Sequence, residues 1–203
     1  MKVKNIYVIR HGETDWNKDS RFQGQTDVPL NAKGQEQALA LVPLMHQLQL
    51  ESVYSSSLSR AYQTAEIATS DLKLTVTRDD RLRETNIGVA EGLTLDEIIA
   101  QLGDEAIAKW RSYEERVLDF KFTNGESKRQ MMIRIRGAML DIAQNSNRKN
   151  VGVFAHGMVM RAMTFVFSSG IPWDHHAFAN GSVHHFLWSS DQPDFLTYKG
   201  RIN

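Results

Sequence analysis

Two histidine–glycine pairs stand far apart in the chain, one in Arg10-His11-Gly12 and one in Ala155-His156-Gly157. Between them come Arg60, inside SSSLSRAYQTA, and Glu84, inside RLRETNIG. Two guanidinium groups, two imidazoles and a carboxyl group suit the handling of a phosphoryl group. Arginine is permanently charged, and its planar fork matches phosphoryl oxygens. Neutral imidazole is a competent nucleophile near pH 7. A carboxylic acid can protonate a departing oxygen. A metal-assisted route would need carboxylate and histidine ligands at one point, where two arginines would be repulsive. The set therefore points to phosphoryl transfer onto a protein nucleophile. The arginines and the other histidine would stabilise charge on the equatorial oxygens. Residue types alone do not say which histidine attacks phosphorus.

Such groups act together only if the fold gathers them. Residues 3–9 read as a buried strand ending at the first His-Gly turn. Residues 52–54 form a second strand, leading into the serine-rich turn and a helix with Arg60 near its start. Residues 74–77 form a third, and the apolar run 150–155 a fourth, followed by His156 and a helix that begins near Gly157. Helices are expected at about 31–48 (capped by Asn31, with Pro43 as a possible kink), at 94–117 with a break at Gly103, and at 127–145. Pro172 is expected to end the helix after His156, and residues 182–188 and 195–198 to close the sheet. Alternating strands and helices imply an α/β, three-layer fold. Its central sheet is mostly parallel and flanked by helices, with a helical insertion between the third and fourth strands. Ligands of such sheets bind at the carboxyl ends of the strands. That edge would hold Arg10, His11, Arg60, His156 and Gly157, with helix N-termini adding free N–H groups for an anion.

Composition narrows the function further. The 24 basic and 24 acidic residues cancel, so no general field draws nucleic acid or an anionic membrane. Any anion selectivity must be local. Cysteine is absent, which excludes disulfides, thiolate chemistry and Cys-ligated metals. The first apolar run is soon interrupted by Arg10 and is too short for a signal-peptide core. The expectation is a cytoplasmic protein whose partners are a small-molecule phosphate ester and inorganic phosphate. No nucleic acid, membrane or cofactor is expected, and a homodimer is left open.

Read in order, VIRHGETDWN, FQGQTDVPLNAKGQEQA, VYSSSLSRAYQTAEI, RLRETNIGVAEG, NGES and VFAHGMVMRA run through nearly the whole chain. Together they resemble the histidine phosphatase superfamily, also called the phosphoglycerate mutase-like family. The resemblance implies a single domain over 1–203, with 94–126 as a helical insertion covering the substrate. It implies His11 as the phosphorylated nucleophile, and Arg10, Arg60 and His156 as phosphoryl ligands. Glu84 would be the proton donor. Asn17 matches a position that contacts phosphate, and Gln23 and Gly24 match a loop lining the substrate. Gly12 would let backbone approach closely enough to fix the imidazole tautomer.

Catalytic residues do not separate the family's phosphatases from its mutases. The glycolytic mutases follow the acid with E-R-H-Y-G, whereas here Glu84 precedes Thr85, Asn86, Ile87 and Gly88. Mutases commonly carry Asn after the second His-Gly, where this chain has Met158, and many relatives carry Ser where it has Ala155. Trp110, Tyr113, Phe120 and Phe122 would favour a larger or more apolar ester. The expectation is a metal-independent phosphomonoesterase acting on a small phosphorylated metabolite through a phosphohistidine. The alternatives are a cofactor-dependent phosphoglycerate mutase and a catalytically weak phospho-ligand-binding protein. Glu91 competes with Glu84 for the acid role. Lys128, Arg129, Arg134 and Arg136 read as a solvated helix face, and Met158, Met160 and Met163 as core. His175-His176 and His184-His185 invite a zinc reading, but no metal is expected: His184 and His185, adjacent on a strand, face opposite sides and do not easily share one ion.

Overall fold

The computed structural model describes residues 1–167 and 178–203. Its centre is a six-stranded sheet, built from β1 (Val3–Arg10), β2 (Ser52–Ser55), β3 (Val76–Arg78), β4 (Asn150–Ala155), β5 (Val183–Ser189) and β6 (Gln192–Arg201). The order is β3-β2-β4-β1-β5-β6. The first four strands run parallel, and β5 and β6 are added antiparallel at one side. β4 lies between β1 and β2, so helices cover both of its faces and its residues from Val151 to Ala155 are all buried.

Helices α1 (Asp15–Lys18), α2 (Ala32–Ala40), α3 (Val42–Gln47) and α4 (Ser59–Ala68) follow the first two strands. The expected helix at 31–48 is two helices meeting at Leu41, with Pro43 in the first turn of the second. Proline is harmless there because the first turn has no intrahelical acceptor for its missing N–H. Asn31 caps α2 as expected, accepting a hydrogen bond from the Gly34 N–H at 2.8 Å. Between β3 and β4 come α5 (Leu95–Leu102), α6 (Asp104–Arg111) and α7 (Lys128–Asn145), and α8 (Gly157–Phe167) follows β4. Gly103, at φ +87°, separates α5 from α6, and the helix expected to reach residue 117 ends at Arg111. The expected break at Pro172 lies outside the described residues.

One core packs α7 and α8 on the sheet through Met131, Ile135, Met139, Met160, Met163 and Phe167. A second, on the opposite face, joins Tyr7, Ile9 and Phe154 to Leu41, Met45 and Ala65. A third, smaller cluster ties α5 and α6 to the loop after β3 through Ile87, Ile98, Ile107 and Phe122. It places the inserted helices next to the strand ends. Among the described residues no helix is long and apolar enough to cross a membrane.

The basic face expected on α7 is corrected in two places. Lys128 is only 2% exposed. Arg134 is half-buried, with its Nη1 donating to the carbonyls of Arg81 (2.7 Å) and Arg83 (2.8 Å) and its guanidinium paired to Glu126. Helical spacing put both on a charged stripe, but the chain N-terminal to α7 folds back over that stripe.

Candidate active site

Strand register assembles the site. Arg10 pairs with Ala155, so the next residues, His11 and His156, leave adjacent parallel strands side by side. Their ring centroids are 5.1 Å apart. Ser55 pairs with Phe154 on the far side of β4, which brings the next turn within reach of His156. The Ser56 Oγ lies 2.8 Å from the His156 Nε2. Arg60 sits in the first turn of α4 and is fully buried.

A cavity of about 290 Å³ opens onto this cluster. Arg10, His11, Asn17, Gln23, Gly24, Arg60 and Glu84 all line it, as the sequence reading expects of them. His156 stands behind His11, and Gly157 begins α8 against the Arg10 guanidinium. Trp16, Ser20, Arg21, Phe22, Thr85, Ile87, Trp110 and Met158 complete the wall. Met158, expected in the core, therefore faces the cavity, while Met160 and Met163 are fully buried. Of the aromatics expected from the insertion, Trp110 reaches the wall. Phe122 and Phe120 stand behind it in the small cluster, and Tyr113 packs on Phe165.

His11 is held by its Nδ1, 2.6 Å from the Gly12 carbonyl oxygen. A carbonyl only accepts, so Nδ1 carries the proton and Nε2 keeps the lone pair. Gly12 has a further reason to be glycine. A Cβ there would sit 2.4 Å from the Gly34 carbonyl oxygen, where α2 crosses the turn. The Gly12 N–H donates to the Thr64 Oγ1 at 3.0 Å, and the Asn180 Nδ2 donates to the carbonyls of His11 (3.0 Å) and Gly12 (3.2 Å). The nucleophile turn is thus tied to α4 and to the entry of β5.

Arg60 donates to the carbonyls of Gly24 (2.7 Å) and Thr26 (3.0 Å), and Arg10 donates to the Phe178 carbonyl. Among the described residues, the buried Nε donors of both arginines have no hydrogen-bond partner, nor has the buried Nδ1 of His156, whose role follows the ring's tautomer. Buried donors of this kind are costly unless an acceptor meets them. Phosphoryl oxygens would meet them. Burial lowers the pKa of Arg60 to about 10, against the opposing pull of Glu84, Asp27 and Glu91. Burial, and then the charges of Arg60 and Arg10, hold His11 well below its ordinary value of 6.5. His156 is lowered likewise, by burial first and then by Arg60. Both imidazoles are therefore neutral at pH 7.

Glu84, the expected acid, and its competitor Glu91 part here. Glu91 accepts from the N–H groups of Gln25 (2.8 Å) and Thr26 (2.9 Å) and from the Thr26 hydroxyl (2.5 Å). It pins the loop whose carbonyls hold Arg60. Gly24, at φ +54°, is required there, since a Cβ would fall 2.1 Å from the Glu91 Oε1. Glu84 lines the cavity, with its Oε2 3.2 Å from the Met158 N–H, the second residue of α8. Its Oε1 accepts from the Thr85 N–H at 3.0 Å, and of the two carboxyl groups it is the one that lines the cavity. Ser56, Thr64, Glu91 and Asn180 had no individual signal in the sequence as supports of the site, because each acts through a partner far along the chain.

His184 and His185 do not join this site. His184 Nδ1 lies 2.8 Å from the Tyr198 hydroxyl, and His185, stacked on Tyr7, has its Nε2 3.0 Å from the Asn5 Oδ1. The two rings face opposite sides of β5, as alternation demands. His175 and His176 lie outside the described residues.

Neutral imidazoles and arginines at the carboxyl edge of an α/β sheet define a phosphoryl-binding class of site. The family model of the histidine phosphatase superfamily (branch 1) matches residues 6–200, and the chain belongs to that superfamily. It is 32% identical over 155 residues to "Probable phosphoglycerate mutase GpmB" of Enterobacter sp. (strain 638), covering 76% of this chain and 70% of that protein. It is 31% identical over 167 residues to "Uncharacterized phosphatase PhoE" of Bacillus subtilis (strain 168), covering 82% and 79%. A mycobacterial glucosyl-3-phosphoglycerate phosphatase, solved in complex with VO3, superposes with a TM-score of 0.82 at 26% identity, over 97% of this chain and 96% of that one.

The neutral histidines also predict an acid-labile fold. In the unfolded chain each takes up a proton near pH 6.5, whereas in the folded protein each resists it. Their contribution is therefore fully present above that pH and is lost as pH falls below it. Each group can add a slope of up to about 1.4 kcal/mol per pH unit. Melting temperatures of the unliganded protein should fall between pH 7 and pH 5, and less steeply in His11→Gln. Parallel profiles for the two proteins would locate the lability elsewhere.

Proposed function

We propose that the protein is a metal-independent phosphomonoesterase that works through a phosphohistidine at His11, with residues 94–126 covering the substrate within one domain spanning 1–203. The observation that carries this reading is a neutral His11 whose Nδ1 proton is held by the Gly12 carbonyl, beside the buried Arg60 and the half-buried Arg10. The remaining lone pair on Nε2 attacks phosphorus in line with the ester oxygen. Arg10, Arg60 and His156 take the equatorial oxygens, with Asn17 at the rim. Glu84 gives its proton to the departing alcohol. Its carboxylate then draws a proton from the water that attacks the phosphohistidine, which releases inorganic phosphate and restores the acid.

The rest of the cavity favours hydrolysis of an ester whose alcohol is uncharged and partly apolar. Phe22, Ile87, Trp110 and Met158 supply apolar wall, and Gln23 and Gly24 bound the loop side. Arg21 is also in the wall, but its guanidinium is engaged with Glu97 at 3.0 Å and with the Gly92 carbonyl at 2.7 Å. A second carboxylate, such as that of a phosphoglycerate, would have to compete for it. Thr85, at the position after the acid, is buried and points its hydroxyl at the Met131 sulfur, so it offers no grip on a small acid.

The test is a panel of phosphate esters scored for phosphate release, with 3-phosphoglycerate and a bisphosphoglycerate primer also scored for isomer formation. Hydrolysis of an uncharged or aryl ester should exceed isomerisation. It should survive excess chelator and be inhibited by vanadate and phosphate. Fast isomer exchange with little phosphate release would make the protein a mutase. Activity lost on chelation and restored by one divalent ion would remove the proposed mechanism, and binding without turnover would make the protein a phospho-ligand sensor.

A further inference from the structure

Lys128 breaks two local rules at once. It is the first residue of α7, where the helix dipole disfavours a cation, and it is buried to 2% exposure. Its ammonium does not point back at its own helix. It crosses to the carboxyl end of α6, where Nζ donates to the carbonyls of Ser112 (2.8 Å) and Lys109 (3.3 Å). The same nitrogen lies 4.9 Å from the centroid of the Tyr113 ring and 5.9 Å from that of Trp110. Carbonyls left over at a helix end and the faces of aromatic rings are both partners for a cation. Burial lowers the lysine's pKa to about 8, so desolvation works against the charged form.

Trp110 links this joint to the cavity. It is the next-to-last residue of α6, lines the cavity wall, and packs edge-on against Phe22 with centroids 5.3 Å apart. Among the described residues, the other ties of α6 to the body are apolar contacts in the small cluster around Phe122 and Ile87, which are non-directional and permit sliding. A cation bonded to two carbonyls fixes the helix end in both rotation and position.

We infer that Lys128 is a positioning residue for substrate selectivity, clamping the end of α6 so that the Trp110 indole stands as a fixed wall for the alcohol part of the ester. This rests on the proposed phosphomonoesterase reading for the identity of the ligand. It assigns Lys128 no contact with substrate. Removing the clamp should weaken recognition of a bulky aryl ester while sparing the phosphate subsite, which Arg10, Arg60 and His156 form from other elements.

The test compares wild type with Lys128→Met and Lys128→Arg on 1-naphthyl phosphate, ethyl phosphate and inorganic phosphate. For Lys128→Met the KM for naphthyl phosphate should rise about tenfold. Its KM for ethyl phosphate and the Ki for phosphate should stay within about twofold. Lys128→Arg, which keeps a cation, should recover most of the difference. In a Trp110→Ala background, Lys128→Met should add nothing further. Equal rises for all three ligands, or full additivity with Trp110→Ala, would overturn the inference. If Lys128→Met does not fold, Lys128→Gln takes its place under the same criteria. If wild type turns over neither ester, the proposed function fails, and the Lys128 comparison is then read from dissociation constants for naphthyl phosphate and phosphate.

Discussion

Replacing His11 with alanine is expected to abolish turnover of every phosphate ester alike, by at least about 10⁴-fold. The loss should not depend on the leaving group, because the proposed acceptor of the phosphoryl moiety is gone before the leaving group matters. Phosphate binding should persist, since Arg10, Arg60 and His156 are held by contacts independent of the His11 ring. His156→Ala should also be damaging, but for a different reason. It removes a proposed ligand of the transition state and the partner of the Ser56 hydroxyl, while leaving the proposed nucleophile to be phosphorylated slowly. Rapid quenching of wild type with an aryl phosphate should trap an acid-labile phosphohistidine that maps to His11. Phosphate found on His156, or on any other side chain, would end the assignment.

Glu84→Gln should divide substrates by leaving group. The substitution keeps shape and removes the proton. An alkoxide leaves poorly without one, and general acid catalysis is typically worth about 10²–10⁴-fold. A nitrophenolate leaves readily unaided. Hydrolysis of alkyl phosphates should therefore fall by about that factor, and hydrolysis of p-nitrophenyl phosphate far less. Because the same carboxylate would activate the attacking water, phosphohistidine should also accumulate in this variant. Glu91→Gln should behave otherwise. Glu91 accepts three hydrogen bonds from Gln25 and Thr26, in the loop that holds Arg60, so its loss should raise KM and the Ki for phosphate without regard to leaving group. A leaving-group dependence that appears in Glu91→Gln and not in Glu84→Gln would exchange the two roles.

Much of the site was legible in the sequence because its groups sit in short local patterns. Arg10-His11-Gly12 follows a run of branched residues, and His156-Gly157 follows VGVFA, so each histidine had to leave a strand at the same edge. The helix starts at Asn31 and Ser127 were visible for a similar reason, since capping is a contact between residues three apart. These are consequences of chain geometry over a few residues. What the chain alone left undecided depends on contacts between distant segments. The pairing of Arg10 with Ala155 put the two imidazoles 5.1 Å apart. The crossing of Gly12 over Gly34 placed the carbonyl that sets the His11 tautomer. Glu84 and Glu91 share one loop, and only packing gave one to the cavity and the other to the Gln25–Thr26 backbone. Lys128 looked solvated because helical periodicity describes one helix, whereas its burial comes from the end of α6 lying across it. Local rules determined which residues could do the chemistry and at which edge they would stand. The tertiary fold determined which nitrogen of His11 carries the proton and that both imidazoles stay neutral, because protonation depends on burial and on partners that the sequence does not bring near.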